Sequence, residues 1–162
     1  MHKVAIITVS DKGYRGERED LSGPEIRRIV EGHGYEVSYT TILPDDRAML
    51  RDTLARLADT RVARLILTTG GTGFSPRDTT PEATLDVAER LCPGIAEAMR
   101  AQSMAITPRA MLTRSVAVLR GESLIINLPG SVKAVRECLE GIIGPLAHGL
   151  DVLADNSGDC AR

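Results

Sequence analysis

The stretch that most constrains the fold is residues 62–83, VARLILTTGGTGFSPRDTTPEA, where an apolar run breaks into glycines and then opens a helix. Val62, Leu65, Ile66 and Leu67 form a short apolar segment bounded by turn residues, the pattern of a strand covered on both faces in a parallel sheet. The chain then has to turn at once. Gly70, Gly71 and Gly73 leave room for a ligand to approach the main chain, and Thr69 and Thr72 add hydroxyls that can meet oxyanions. Pro81 suits the first turn of the following helix, capped either by Thr80 or by a Thr79/Glu82 capping box. A strand, a glycine turn and a helix N-terminus together make an anion site suited to phosphate. Arg77 and Asp78 lie between glycines and helix, a cation for phosphate oxygens and a carboxylate that can hold Mg²⁺. Glycine turns after strands also occur without a ligand. Three glycines, two threonines and an Arg-Asp pair ahead of Thr-Thr-Pro-Glu exceed what a reversal needs. The loop lacks the Lys-Ser/Thr ending of a Walker A motif, and GGTG is not the GxGxxG of a dinucleotide fold.

The rest of the chain repeats the strand, polar turn, helix pattern. KVAIITVS at 3–10 is an apolar strand ending in Ser10-Asp11-Lys12-Gly13, and in open parallel sheets ligands collect beyond such strand ends. Residues 13–21 read as a polar, mobile loop, after which Ser22 and Glu25 form a capping box for a helix stopped by Gly34. Tyr35 to Leu43 alternates as a strand. Pro44-Asp45-Asp46 ends it, and Asp45 reads either as the N-cap of the next helix or as a second metal-binding carboxylate at a strand end. Beyond the central loop, a helix is expected over 83–91, broken by Pro93-Gly94, then a second helix in which Glu97 and Arg100 make an exposed ion pair. Segments 114–119 and 123–128 suit a hairpin. Asn127-Leu128-Pro129-Gly130-Ser131-Val132-Lys133-Ala134 is another strand, glycine turn and helix start. Lys133 in that first turn opposes the helix dipole, which fits either a bound anion or a solvated lysine beside a Ser131 cap. The last helix is expected to be interrupted at Gly141, Gly144 and Pro145.

Composition closes several classes. At 162 residues the chain is read as one domain over 1–154 with a polar tail over 155–162. A formal net charge of −2 with mixed signs, one Phe and no Trp leave neither a basic footprint nor stacking residues for nucleic acid. No segment approaches a membrane span, so a cytoplasmic protein is expected. Cys92, Cys138 and Cys160 are odd in number and far apart, giving no disulfide framework, and they and the three histidines form no zinc motif.

Three motifs together carry a resemblance: TTGGTG with RDxTPEA over 68–83, PGIAEAMR over 93–100 and NLPGSxKA over 127–134, with Ser10-Asp11 after the first strand. The chain resembles the MoaB/Mog family of molybdenum cofactor biosynthesis from Ile6 to about Leu150. Pro44-Asp45 and Arg77-Asp78 stand where the adenylyltransferase branch carries its two essential aspartates. The resemblance implies a three-layer α/β/α sandwich with a mostly parallel sheet and a small antiparallel edge, in trimers or, in one branch, hexamers. It also implies AMP transfer from Mg-ATP to the terminal phosphate of molybdopterin, releasing pyrophosphate, and contact with the downstream metal-insertion protein. By the same resemblance Asp45 and Asp78 position Mg²⁺ and ATP, and Thr69, Gly70, Gly71, Thr72, Gly73 and Arg77 hold phosphate or nucleotide. Ser10, Asp11, Pro129, Gly130, Ser131 and Lys133 serve the pterin substrate. Lys12 and Val132 replace the arginine and proline common at those places, so one bidentate contact and one helix start differ. The alternative is a MoaB-like oligomer that binds molybdopterin or a partner without catalysis, in which Asp45 would have no use beyond capping. An NAD-binding Rossmann domain fits poorly because no GxGxxG follows Val9.

Overall fold

The structure is a computed structural model, and it describes residues 1–154. The expected tail over 155–162, with Cys160, lies outside the described residues. Six strands form one sheet: β1 (Lys3–Val9), β2 (Glu36–Leu43), β3 (Leu65–Thr69), β4 (Arg90–Leu91), β5 (Ala117–Arg120) and β6 (Ser123–Leu128), in the order β2-β1-β3-β6-β5-β4. The first four in that order are parallel, and β5 and β4 add an antiparallel edge. Helices α1 (Asp11–Tyr14), α2 (Ser22–Gly32), α3 (Arg47–Asp59), α4 (Thr80–Asp86), α5 (Pro93–Met104) and α6 (Val132–Leu153) complete it, with a 3₁₀ turn at Pro108–Leu112. No helix among the described residues is long and apolar enough to cross a membrane.

The central strands are apolar on both faces because both are covered. Val4, Ile6, Leu65, Leu67, Leu124 and Ile126 pack in one cluster with residues of α2, α5 and α6. Ala5, Ile7, Ile66, Val118 and Ile125 pack in another with residues of α3 and α4. That alternation makes the three layers that the family resemblance implied. Register then decides where the site forms. Val9 pairs with Leu43, Thr8 with Thr69, and Thr69 with Leu128, so Ser10, Pro44, Gly70 and Pro129 leave the sheet along one rim. β2 and β3 flank β1 on opposite sides, which makes the rim between β1 and β3 the switch point where connections diverge.

Several local expectations are corrected. The helix expected over 83–91 ends at Asp86, and Arg90–Leu91 instead forms β4, tied to β5 through Glu89 N–H to Leu119 and Cys92 N–H to Ala117. The Ser22/Glu25 capping box does not form. Asp20 accepts from the Gly23 N–H at 3.0 Å, Ser22 donates to the Gly130 carbonyl, and Glu25 pairs with Arg28 and Arg136. Residues 11–14 are helical, capped by Ser10, where only a polar loop was expected. Arg100 forms no pair with Glu97; it donates to the carbonyls of Thr113 and Ser115. Helix α6 runs unbroken through Pro145, because Val135, Leu139, Ile142, Leu146 and Leu150 recur on its buried face. Their packing offsets the roughly 3 kcal/mol that an internal proline costs.

Behind the rim lies a buried polar knot. Asn127, with no exposed surface, donates to the hydroxyls of Thr68 and Thr84 and accepts from the Val116 N–H. It ties β6, β3, α4 and the start of β5 together where no water competes. Asn127→Leu strands those partners and is expected to cost about 3 kcal/mol in denaturant unfolding, whereas Thr40→Ala on the exposed side of β2 changes stability by less than about 0.5 kcal/mol.

Candidate active site

The rim opens into a cleft of about 690 Å³, with Thr8, Ser10, Asp45, Gly70, Asp78 and Ser131 among its lining residues. Its floor is the glycine loop. Gly70 has φ +96°, and a Cβ there would collide with the Val9 carbonyl, so the loop lies against the end of β1. Gly71 has φ +70°, and a Cβ there would strike the Thr80 hydroxyl and stand 3.2 Å from Asp45 Oδ1. The Thr69 hydroxyl donates to the Pro129 carbonyl at 2.6 Å, joining this loop to the second glycine turn. Helix α4 follows with Thr79 in the cap position, but no side chain caps it, and Pro81 lies in its first turn.

Asp45 does not cap α3. Asp46 does, accepting from the Met49 N–H at 2.9 Å. Asp45 instead exchanges bonds with Asp11: the Asp11 N–H donates to Asp45 Oδ2 at 3.1 Å, and the Asp45 N–H donates to Asp11 Oδ1 at 2.9 Å. Arg77 closes the group by donating to both Asp11 carboxylate oxygens and to the Asp45 carbonyl at 3.1 Å. The Arg77 hydrogen bond, with the Asp45 N–H, holds the Asp11 carboxyl below its ordinary value. Asp45 moves the other way. Burial raises it, and the charges of Asp11 and Asp78 add to the rise against the opposing Asp11 N–H and Arg77.

Asp78 accepts from the Ser75 N–H at 3.1 Å through Oδ2, the oxygen that would lie 2.9 Å from a Cβ on Gly73. Its position is fixed from behind by Arg114. The Arg114 main-chain N–H donates to the Thr72 carbonyl at 2.9 Å, and its guanidinium donates to the Gly73 carbonyl at 2.8 Å, the Asp78 carbonyl at 2.6 Å and the Glu82 carboxylate. For Glu82, burial pushes the carboxyl up, but the Arg114 bond and a backbone N–H bring it below the ordinary value.

Eight of the residues anticipated from the sequence line the cleft: Ser10, Asp45, Thr69, Gly70, Gly71, Asp78, Gly130 and Ser131. Asp11, Thr72, Gly73, Arg77 and Pro129 stand behind that lining as its supports. Lys133 points away, its side chain 80% exposed and 3.9 Å from Glu137, while Ser131 caps α6. Reading the sequence missed Arg114, Asp20 and Arg18. Arg114 follows an ordinary apolar stretch and Asp20 sits in a polar run, so no local pattern marks either.

No group of three or more metal-binding side chains occurs among the described residues, and Asp45 and Asp78 are the two aspartates of the lining nearest the glycine loop that could hold a hydrated ion. The buried Thr80 hydroxyl beside Gly71 and Asp45 has no partner among the described residues, and burial, with the charges of Asp11 and Asp78, raises the Asp45 carboxyl; a bound cation would lower it again.

A family model described as a probable molybdopterin binding domain matches residues 5–148. A molybdopterin adenylyltransferase of Haemophilus influenzae is 43% identical over 142 residues, spanning 86% of this chain and 72% of that protein. One of the same name from Helicobacter pylori is 37% identical over 155 residues, 94% of this chain and 88% of that protein. The solved structure of the molybdopterin biosynthesis enzyme MoaB from Thermus thermophilus has a TM-score of 0.90 at 46% identity, covering 96% of this chain and 98% of that one. The tungsten cofactor synthesizing protein MoaB from Pyrococcus furiosus has a TM-score of 0.82 at 37% identity, covering 94% and 96%.

A raised Asp45 carboxyl binds its proton more tightly folded than unfolded, so its contribution to stability is full below the ordinary value of 3.8 and is lost as pH rises through its own. Asp11 is opposite in sign: its contribution is present above 3.8 and is lost as pH falls through its lowered value. Carbon-detected NMR titration should find Asp45 titrating above ordinary aspartates and Asp11 below them, with Asp78→Asn drawing Asp45 back down. Arg114→Met leaves two carbonyls, those of Gly73 and Asp78, and Glu82 without their donor. It is expected to speed hydrogen exchange across residues 71–79 and to cost about 2 kcal/mol in unfolding.

Proposed function

The chain belongs to the family of probable molybdopterin-binding domains, and we propose that it works as a molybdopterin adenylyltransferase in molybdenum cofactor biosynthesis. It is a nucleotidyltransferase that moves AMP from ATP to the terminal phosphate of molybdopterin and releases pyrophosphate. One observation carries this reading. Asp46 takes the helix cap, so the Asp45 carboxylate, which accepts the Asp11 N–H and no helix N–H, shares the cleft with Asp78. A protein that only held molybdopterin would have no need of two aspartates so placed that their charges oppose one another.

The chemistry needs little from the protein beyond charge and alignment. The acceptor is a phosphate monoester with a second pKa of roughly 6, mostly dianionic at neutral pH, so no general base is required. Its oxygen attacks the α-phosphorus of ATP, the bond to the bridging oxygen breaks, and pyrophosphate leaves with that electron pair. Asp45 and Asp78 would hold Mg²⁺, which when bound neutralises phosphate charge in both the ground and transition states. The loop around Gly70 and Gly71 lets phosphates approach the main chain, and Ser10, Gly130 and Ser131 form the rest of the surface offered to the two substrates. Arg77 acts through Asp11, keeping the β1 turn and the Asp45 turn together. Residues 1–154 form the substrate-binding domain, and the protein works in the cytoplasm as a homotrimer. The exposed apolar side chains of Ile106, Met111 and Leu112 support such an assembly.

The test is pyrophosphate release from Mg-ATP with and without molybdopterin, followed by mass analysis of the pterin. Release that needs both substrates, with AMP added to the pterin, is the expected result. Asp78→Asn is expected to lower transfer by at least about a hundredfold while molybdopterin still binds. Molybdopterin binding without any release in the unaltered protein would leave a binding oligomer in its place.

A further inference from the structure

The cleft carries an unusual charge balance for a site that takes two polyanions. Four of its lining residues are carboxylates, Glu19, Asp20, Asp45 and Asp78, and a single lining residue, Arg18, is cationic. Most neighbouring cations are committed elsewhere, and Lys12 lies outside the lining. Arg77 is held by Asp11, Arg114 by the back of the glycine loop, Arg15 by Glu17, and Lys133 leans toward Glu137 outside the lining. The Arg18 guanidinium makes no hydrogen bond or ion pair among the described residues. The residues around it are nevertheless anchored. On one side the Glu17 N–H donates to the Lys12 carbonyl at 2.9 Å; on the other Asp20 accepts from the Thr8 hydroxyl at 2.8 Å and from the Gly23 N–H at 3.0 Å. A free guanidinium on a tethered segment at the mouth of an anion site is placed to bind phosphate as a planar fork.

Which phosphate follows from the neighbours. Asp45 and Asp78 stand with Gly71 and Gly73, where on the adenylyltransferase reading the charge of Mg-ATP would be met. Arg18 belongs to the segment that runs into α2, whose Ser22 hydroxyl holds the Gly130 carbonyl at 2.8 Å, on the wall that ends in Ser131. We propose that Arg18 binds the terminal phosphate of the acceptor, the pterin monoester, and so sets the affinity for that substrate. The assignment rests on the adenylyltransferase reading and names the group that receives the acceptor's charge.

The experiment compares Arg18→Gln, Arg18→Lys and Arg15→Gln with the unaltered chain. Molybdopterin binding is measured by ultrafiltration without ATP, and KM is measured for each substrate. Arg18→Gln is expected to weaken molybdopterin binding about tenfold, with the KM for Mg-ATP unchanged, and Arg18→Lys to recover part of the loss. Arg15→Gln removes the same charge outside the cleft lining and should leave molybdopterin binding as it was. Unchanged molybdopterin binding in Arg18→Gln, a rise confined to the ATP KM, or an equal loss in Arg15→Gln would each overturn the assignment. Thermal unfolding guards against a folding defect, which is not expected because the side chain contacts nothing that a glutamine would leave unpaired. Because binding is read without turnover, an unaltered chain that binds molybdopterin yet transfers no AMP sinks the enzymatic reading alone and leaves the Arg18 arm intact. A chain that does not bind molybdopterin overturns both.

Discussion

The hydrogen-bond register of β1 with β3, and of β3 with β6, is the constraint on which the site depends. A one-residue slip in a strand turns every side chain to the other face, and here each central strand is packed on both faces by different helices. The register is therefore fixed by two cores at once. Its consequence at the rim is that Thr8, Thr69 and Leu128 end level, which brings the Ser10, Gly70 and Pro129 turns together although about sixty residues separate each from the next. The contacts between those turns, Thr69 to Pro129, Gly70 against Val9 and Ser22 to Gly130, can form only from that starting point.

Upon that frame the chain sets three aspartates with opposed tasks. Asp11 spends its charge on Arg77 and on the Asp45 N–H, and so serves as a brace. Asp46 spends its side chain on the helix end. Asp45, between them, is left without an ion pair among the described residues, and burial first, then the charges of Asp11 and Asp78, raise its carboxyl. Adjacent residues of one type thus divide into structural and functional parts according to what each hydrogen-bonds. The unfavourable charge at Asp45 is the kind of local conflict that persists where a ligand resolves it.

Much of this was legible in the sequence, and the exceptions share a cause. The parallel core strands, the hairpin and the three rim turns follow from apolar runs and glycine placement, features decided within a few residues. What failed was decided at long range. β4 exists because Leu119 and Ala117 offer it partners, α6 continues past Pro145 because its buried stripe holds it, and the Ser22 hydroxyl leaves its cap for Gly130, 108 residues away. The two readings of Asp45 could not be separated in the sequence either, since Asp45 and Asp46 are equally good caps. Only the backbone turn at Pro44 decides between them.

Arg114 extends the same logic to the loop. A glycine-rich loop loses more conformational freedom on ordering than any other segment of equal length, so a site built on one needs restraint from outside it. Four bonds from one residue, at Thr72, Gly73, Asp78 and Glu82, restrain the loop at both ends and leave its inner face unobstructed. The restraint comes from the antiparallel side of the molecule, immediately before β5, so the edge added to the parallel sheet contributes more than cover for β6. The turns at Gly70 and Gly71 leave the main chain open to the cleft, and the bonds from Arg114 hold the Asp78 main chain beside it. Neither property alone would make a site that is already ordered before its substrates bind.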